Sequence, residues 1–212
     1  MILRRLSMKK LLTILPVIAL TVILSGYAQA AYDDSDATVR TFSVDVDYSE
    51  VMIQAAVTGD YDAGLAAQQT RDEKISALDM NSETYTFEDL MLISKIIYAE
   101  AGSEWLSDEW KMFVGEVVLN RVESPEFPDT IKEVLEQPGQ YYGSSSDYFN
   151  DLLPTERCVR CAIRLLNGER QLAPSVVFQA NFKQGSGTHT AVYDKHLGWT
   201  YFCYSSHTEL YE

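Results

Sequence analysis

The chain has 212 residues, with 17 Lys and Arg against 31 Asp and Glu, and a formal net charge of −14. A surface this acidic repels phosphate backbones, which argues against nucleic-acid binding. Hydrophobic residues make up 46% of the chain, an ordinary share that argues against wholesale disorder, and the length suffices for one medium domain with an appendage.

Residues 1–30 have the pattern of a secretory signal peptide. Four basic residues precede an apolar run from Leu11 to Leu24, and the small-residue site Ala28-Gln29-Ala30 follows. Cleavage after Ala30 would leave 13 basic and 31 acidic residues, a net charge of −18. The run is short and interrupted by Pro16, which disfavours a membrane span. An uncleaved anchor is the alternative, and in both cases the folded part is expected outside the cytoplasm.

Residues 31–85 are predicted to be an appendage to the main domain. Residues 31–47 are acidic and rich in turn formers, so we expect a linker there. Residues 48–78 fit two short helices around Gly59-Asp60. This helical hairpin is either a docking element or an accessory layer packed on the main domain.

The main domain is predicted at residues 86–212, and its first half is helical. The first helix should begin at Thr86, which forms a capping-box variant with Asp89, and should end in a left-handed cap at Gly102. The other predicted helices begin at Asp108, Pro128 and Thr155.

The second half of the main domain is predicted to be a small antiparallel sheet. Three short strands joined by Gly-rich turns are expected at Val176–Phe178, Thr190–Tyr193 and Trp199–Tyr204. Helices followed by strands indicate an α+β fold.

The three cysteines allow two arrangements. Cys158 and Cys161 lie in the fourth predicted helix, and Cys203 lies in the last strand. One disulfide from Cys203 to the helix is preferred, and three buried free thiols are the alternative. A zinc knuckle needs a fourth ligand, and a redox C-x-x-C follows a βαβ pattern that this sequence lacks.

Glu100 is the first candidate for chemistry because it ends an apolar helix. The negative end of the helix dipole and the apolar neighbours both disfavour its anion and should raise its pKa. General acid cleavage of a glycoside needs such a protonated carboxyl group. An ordinary solvent-facing glutamate is the alternative, and Glu104, Glu109 and Glu116 form no clear partner motif for a two-carboxylate glycosidase.

Four segments resemble the SleB/CwlJ-type cell-wall hydrolases, bacterial enzymes that cleave peptidoglycan and are best known from spore cortex lysis. These segments are Ile97–Ala101 (IYAEA), Val117–Val122 (VVLNRV), Ser124–Ile131 (SPEFPDTI) and Gln137–Tyr141 (QPGQY). The resemblance covers about residues 87–204 and does not reach residues 31–85.

The resemblance implies a lysozyme-like helical domain with the small sheet near its C-terminus. It also implies cleavage between N-acetylmuramic acid and N-acetylglucosamine, and for characterised members the reaction is lytic transglycosylation. In that reaction the substrate's own 6-hydroxyl and acetamido groups supply the nucleophiles, so one glutamate serves as acid and then as base. Glu100 falls on the family's catalytic position, and neither a metal nor another cofactor is expected.

Further site residues are expected around the same cleft. Gln140 and Tyr141 are predicted substrate contacts, because the Gln140 amide can both donate to and accept from an acetamido group; a hydrogen bond within the loop is the alternative. Gln179 is similar to a polar family position in the sheet and should line the same groove. Asn120 and Arg121 are expected to be structural, closing a helix end.

Peptidoglycan is the expected partner of a monomeric enzyme. The negative charge predicts weak adhesion to anionic wall polymers, so a wall or spore-coat protein is a second candidate partner. Other classes stay open. A zinc-dependent N-acetylmuramoyl-L-alanine amidase would draw ligands from His189, Asp194 and His196, although their spacing is not H-E-x-x-H. Papain-type chemistry at Cys158 is a weaker alternative, and a non-catalytic wall-binding module would not need an acid at position 100.

Overall fold

The computed structural model describes residues 37–77, 84–141 and 146–211. The expected signal peptide at residues 1–30 lies outside this part of the chain. The chain divides into two compact units, Met1–Thr41 and Phe42–Glu212, and the second contains the core and the candidate site. No helix within the described ranges is long and apolar enough to cross a membrane.

Helices come first along the described chain, and strands follow. The α-helices are α1 (Ala37–Thr58), α2 (Tyr61–Ala77), α3 (Phe87–Ala101), α4 (Asp108–Val122), α5 (Ile131–Glu136), α6 (Asp147–Asp151) and α7 (Glu156–Leu166). The strands are β1 (Val176–Ala180), β2 (Thr188–Asp194) and β3 (Gly198–Tyr204), and a short 3-10 helix follows at Thr208–Tyr211. The predicted α+β class is confirmed: the domain is mostly helical, with a three-stranded antiparallel sheet near its C-terminus.

Three helices that contact one another, α3, α4 and α7, form the centre of the core. Leu90, Ile93 and Ile97 of α3 are completely buried, at the helical spacing that the sequence shows. Each such side chain contributes roughly 1.5–3 kcal/mol on burial. Helix α5 contacts both α3 and α4, and strand β1 packs against α4.

The predicted caps of α3 and α7 are confirmed. The Thr86 hydroxyl oxygen accepts the Asp89 N–H at 3.0 Å, and the Asp89 carboxylate accepts the Thr86 N–H at 3.0 Å. Thr155 caps α7 by accepting the N–H of Cys158. These pairings satisfy backbone donors that the first helical turn leaves without partners.

Helix α4 begins at Asp108 as predicted, and α5 begins later than expected. Ser107 is the N-cap of α4, and Asp108 is its first helical residue. Thr130 caps α5, which therefore begins at Ile131 and not at Pro128. In both cases a short hydroxyl side chain next to the helix accepts a backbone N–H, as Ser and Thr do at N-caps.

Helix α3 ends at Gly102 without the expected left-handed cap, because Gly102 has φ −68° and ψ −18°. A Cβ atom at this position would lie 2.2 Å from the carbonyl oxygen of Tyr98 and 2.6 Å from its ring. Glycine is therefore required here by the close approach of Tyr98 and not by backbone handedness.

Helices α1 and α2 meet at Gly59-Asp60, as the sequence predicts. Met52 and Ala56 are completely buried and belong to the same core as α3, so the hairpin is an accessory layer packed on the main domain. Helix α1 already begins at Ala37, so the described part of residues 31–47 is helix and the expectation of a linker is wrong there. Once the buried segment is helical, each further residue adds a hydrogen bond at little cost.

The sheet has the order β1-β3-β2, with β3 in the centre. Phe202 of β3 is completely buried, and its ring centroid lies 5.1 Å from that of Phe113 on α4. Side chains alternate between the two faces of a strand. Phe202 points to the helices. Its neighbour Tyr201 therefore points to the opposite, outer face, and Trp199, two residues before Tyr201, lies on that outer face too.

The three cysteines are all buried and free, so the preferred disulfide is wrong and the alternative of three thiols is confirmed. The sulfur of Cys158 lies 3.3 Å from the Thr155 hydroxyl at the start of α7. The sulfur of Cys203 lies 3.8 Å from the Thr188 hydroxyl within the sheet. Cys158 and Cys203 thus have separate hydroxyl partners, whereas a disulfide needs Cβ atoms within about 4.5 Å of each other.

Gly64 tests the packing of α2 on α3. A Cβ atom at this position would lie 2.3 Å from the ring of Phe87. We expect Gly64→Ala to lower the free energy of unfolding by about 1–3 kcal/mol through overpacking, although alanine favours helices over glycine by about 1 kcal/mol. Urea unfolding measures the change. Adding Phe87→Leu should recover part of the loss, and an unchanged or higher stability of Gly64→Ala would contradict the packing.

Candidate active site

A cleft of about 300 Å³ lies at the C-terminal end of α3. It is formed by the end of that helix, the loop after α5, and β1 with the loop that follows it. The described lining residues are Glu100, Arg121, Gly139, Gln140, Tyr141, Phe178, Gln179, Ala180, Phe182 and Gln184. All four residues that the sequence selects, Glu100, Gln140, Tyr141 and Gln179, therefore lie on one cleft, although they are up to 79 positions apart in the chain.

Glu100 is exposed to solvent and lines this cleft. The protein around it nevertheless removes part of its hydration, and this desolvation raises the pKa of Glu100 above its ordinary value of 4.5. No other acidic residue is among the lining residues that the structure describes. The carboxyl group thus combines contact with the cleft and a tendency to hold its proton.

A buried lysine fixes the end of α3 next to Glu100. Lys111 on α4 is completely buried, and its Nζ donates to the carbonyl oxygens of Ala101 at 2.5 Å and Ser103 at 3.0 Å. The last carbonyls of a helix have no partners within it, and a cation there offsets the negative end of the helix dipole. Lys111 therefore counters the dipole contribution that the sequence predicts for Glu100, and desolvation by the surrounding protein is the cause of the raised pKa.

Arg121 takes part in both the fold and the cleft. Its Nε donates to the carbonyl oxygen of Val177 at 2.7 Å. The role is structural as expected, but the bond holds strand β1 and does not close a helix end. Its guanidinium also lies over the Tyr141 ring, 5.1 Å from the centroid, and lines the cleft. The side chain is 4% exposed, and its Nη1 has no hydrogen-bond partner in the described part of the chain. A buried charged donor of this kind favours a ligand acceptor.

Tyr141 is buried in the wall of the cleft beside Arg121. Desolvation raises the pKa of Tyr141 above its ordinary value of 10.0; the charge of Arg121 opposes this shift and the charge of Glu100 adds to it. The hydroxyl is therefore protonated at neutral pH and is a hydrogen-bond donor.

Two of the amide side chains lie on the cleft, and a third holds the fold together. The Oε1 atom of Gln179 is buried without a hydrogen-bond partner among the described residues, and Gln140 is exposed at the cleft. Asn120 instead donates from Nδ2 to the carbonyl oxygens of Ala173 and Val176, both at 3.0 Å. Asn120 is therefore structural, as the sequence predicts.

The competing acids have other partners. Glu116 is completely buried, and its carboxylate accepts the backbone N–H groups of Gln171 and Leu172. Desolvation raises the pKa of Glu116 and these hydrogen bonds lower it. Asp108 accepts from the Nε of Arg157 at 2.5 Å. Neither carboxylate lines the cleft.

The ligands considered for a zinc enzyme are engaged elsewhere. The Nδ1 of His189 lies 2.8 Å from the Tyr204 hydroxyl. Asp194 accepts the N–H groups of His196 and Leu197 in a turn. The part of the chain that the structure describes contains no group of three His, Cys, Asp or Glu able to hold a metal ion.

The thiols are poorly suited to nucleophilic chemistry. Burial raises the pKa of the Cys158 thiol above its ordinary value of 9.0 and raises that of Cys161 to about 11. Both are neutral thiols at neutral pH, whereas a nucleophilic cysteine must reach the thiolate form.

Residues 106–203 are similar to a known enzyme family. A family model described as Cell Wall Hydrolase (Hydrolase_2) matches this region, which confirms the predicted resemblance. The match begins after Glu100, so the role of Glu100 rests on the resemblance of the IYAEA segment and on the geometry of the cleft.

One solved structure is also similar to this chain. The catalytic domain of the Bacillus cereus SleB protein is 23% identical to it, with coverage of 57% of this chain and 94% of that chain and a TM-score of 0.43. No curated protein gives a significant match.

Lys111→Met tests the anchor at the end of α3. The variant leaves the buried carbonyl group of Ala101 and the part-buried carbonyl group of Ser103 without their donor, and a buried group left in this way costs about 1–3 kcal/mol. We expect the free energy of unfolding to fall by roughly 2–5 kcal/mol in urea titrations. Lys132→Met removes an exposed lysine of α5 and should change stability by at most about 0.5 kcal/mol. Equal stability of Lys111→Met and the parent would contradict the anchoring role.

Glu100→Gln tests the raised pKa through stability. The folded chain holds the Glu100 proton more tightly than the unfolded chain, whose pKa is near the ordinary 4.5. Ionisation therefore costs stability as the pH rises from about 4.5 through the raised pKa, and the cost persists above it. Glutamine cannot ionise, so Glu100→Gln should be more stable than the parent at pH 7 and similar to it below about pH 4.

Thermal unfolding across this pH range measures the difference between the two proteins. Glu109→Gln, which removes an exposed glutamate of α4 outside the cleft, controls for the change in net charge. If the stability of Glu100→Gln relative to the parent did not increase from pH 4 to pH 7, the result would argue against the raised pKa.

Proposed function

We propose that this protein cleaves the glycan backbone of peptidoglycan between N-acetylmuramic acid and N-acetylglucosamine, as a lytic transglycosylase with Glu100 as its single acid and base. One observation carries the proposal: a glutamate with a raised pKa lies on a cleft whose described lining contains no second carboxylate. A glycosidase with two carboxylates needs a partner acid about 5–10 Å away. A mechanism in which the substrate supplies the nucleophile needs only one.

The reaction begins with the protonated carboxyl group of Glu100. It gives its proton to the glycosidic oxygen as the bond from that oxygen to C1 of the muramic acid residue breaks, and the acetamido group of that sugar stabilises the positive charge on C1. The Glu100 carboxylate then takes the proton of the sugar's 6-hydroxyl, and the oxygen of that hydroxyl bonds to C1. The products are a 1,6-anhydro end and a free hydroxyl, and Glu100 is protonated again. The raised pKa of Glu100 favours the protonated form that the first step needs, and the carboxylate formed in that step is the base of the second.

The neighbouring polar groups have the chemistry to hold an N-acetylated sugar. The amides of Gln140 and Gln179 offer donors and acceptors that match an acetamido group. The Tyr141 hydroxyl and the Nη1 of Arg121 offer donors to sugar or acetamido oxygens. Such a small number of directed polar groups in a concave site is typical of ligand recognition.

The proposed site of action is outside the cytoplasm, after export directed by residues 1–30. Peptidoglycan of the spore cortex and of the vegetative wall carries the same glycosidic bond, so the proposal includes both. A net charge of −18 after removal of that segment disfavours adhesion to anionic wall polymers. We therefore include a wall or spore-coat protein as the partner that positions a monomeric enzyme.

Zymography on purified sacculi tests the proposed reaction. We expect the parent to clear the gel and Glu100→Gln to lose at least about a hundredfold in activity, as expected for removal of a general acid. Glu109→Gln should clear like the parent.

Mass spectra of the released fragments identify the bond that is cut. A transglycosylase gives 1,6-anhydro ends, a muramidase gives reducing ends, and an amidase gives free stem peptides. Equal clearing by the parent and Glu100→Gln would overturn the catalytic assignment, and reducing ends would overturn the transglycosylase assignment.

A further inference from the structure

Three aromatic rings form a row on the outer face of the sheet. This aromatic platform consists of Tyr193, Trp199 and Tyr201. The Trp199 ring centroid lies 5.2 Å from that of Tyr193 and 6.0 Å from that of Tyr201, and its plane is within 24° of parallel to the Tyr201 ring. Tyr193 is 60% exposed and Trp199 is 50% exposed. Large exposed aromatic groups that form a contiguous patch of this kind mark binding surfaces.

The strand register explains why the three rings share a face. Tyr193 of β2 is directly opposite Trp199 of β3, and Tyr201 follows two residues later on β3. Residues two apart on a strand, and residues opposite each other on neighbouring strands, project to the same side. The row is therefore set by the hydrogen-bonded backbone of the sheet.

The platform continues from the edge of the candidate active site. Tyr201 is opposite Ala180 of β1, and Ala180 lines the cleft. Phe182, which is 61% exposed, lines the cleft two residues further on. The next residue, Lys183, places its Nζ 5.6 Å from the centroid of the Tyr201 ring. A chain of ligand groups that leaves the cleft along β1 would thus meet Tyr201 first and Trp199 next.

The size of the cleft makes such a continuation necessary for a polymer. Its volume of about 300 Å³ is at the lower end of the range of small-molecule pockets, about 300–1,000 Å³. A glycan strand that is cut in the cleft must therefore extend over the surface beyond it.

The chemistry of the three rings favours sugars. Each ring offers an apolar face, and each also has a polar group, a hydroxyl on tyrosine or an indole N–H on tryptophan. A pyranose ring likewise has an apolar C–H face and a rim of hydroxyl and acetamido groups. The flat faces can stack on the sugar rings while the polar groups donate to the rim.

We infer that the aromatic platform is a distal subsite that binds sugar rings of the glycan strand beyond the cleft. The identity of the sugar rests on the proposed function. The platform makes affinity depend on strand length, because a strand that fills the cleft must extend further to contact Trp199 as well.

Binding of peptide-free glycan strands to the full chain tests this inference. The measurements are made in a Glu100→Gln background, so that the strands are not cut, and compare long strands with single disaccharides by calorimetry. In the Glu100→Gln protein we expect long strands to bind more tightly than disaccharides. Adding Trp199→Ala should reduce the ratio between the two affinities by about five- to tenfold, as expected for the loss of one stacking contact.

Matched variants separate stacking from a general effect on the fold. Tyr193→Ala should weaken long-strand binding, whereas Tyr148→Ala, which removes a tyrosine that is 74% exposed on α6, should not. Trp199→Phe keeps an aromatic face and should retain most of the affinity. In the Glu100→Gln protein, long strands should change the tryptophan emission because they cover Trp199. The Trp199→Phe variant should lose this change in emission. Thermal unfolding checks that each variant is folded.

An unchanged preference for long strands in Trp199→Ala would overturn the inference and would leave the platform as a surface for a protein partner. The proposed reaction is judged separately, by the zymogram and the fragment masses. Strand binding that depends on Trp199 without any cleavage would overturn the reaction alone, and cleavage with no contribution from Trp199 to strand binding would overturn the subsite alone.

Discussion

The ammonium group of Lys111 holds the end of the helix on which Glu100 stands. It reaches from α4 to the carbonyl oxygens of Ala101 and Ser103, where the helix has exhausted its own donors. Removing a lysine ammonium from water is costly unless its hydrogen bonds are made, so the position of the helix end and the burial of Lys111 depend on each other. The consequence for chemistry is direct: the acid is carried on a fixed helix terminus whose partial negative charge is already compensated.

Helix α4, which carries Lys111, also positions the rest of the cleft through further buried polar side chains. Glu116 accepts backbone N–H groups of Gln171 and Leu172, which lead into β1. Asn120 and Arg121 donate to carbonyl oxygens just before and within β1. Helix α4 therefore connects the end of α3 with the sheet, and the cleft lies where these two parts meet. Buried polar groups are costly unless they are satisfied, so each of them specifies one arrangement of the segment that it binds.

The helices and strands were largely predictable because their signals are local. Helical spacing of Leu90, Ile93 and Ile97 and the capping pair of Thr86 with Asp89 lie within a few residues of one another. The errors arose where a local signal had two interpretations. Pro128 and Thr130 can both begin a helix, an acidic stretch can be a linker or the start of a helix, and Gly102 can serve handedness or close packing. The short helix α6 gave no periodic signal because it is only five residues long.

The candidate site was predictable only in part, and for the same physical reason. Glu100 was found from its place at a helix end, and Gln140, Tyr141 and Gln179 were found from motif resemblance, and neither signal shows that these residues meet. In the sequence, Lys111 is an ordinary charged residue of a helix, and nothing near it indicates complete burial. The contacts of Lys111, Arg121 and Glu116 span between 8 and 56 positions of the chain. Periodicity and caps depend on neighbours along the backbone and can be inferred from composition and spacing, whereas desolvation, the pairing of buried charges and the joining of the cleft to the aromatic platform arise only when distant segments pack together.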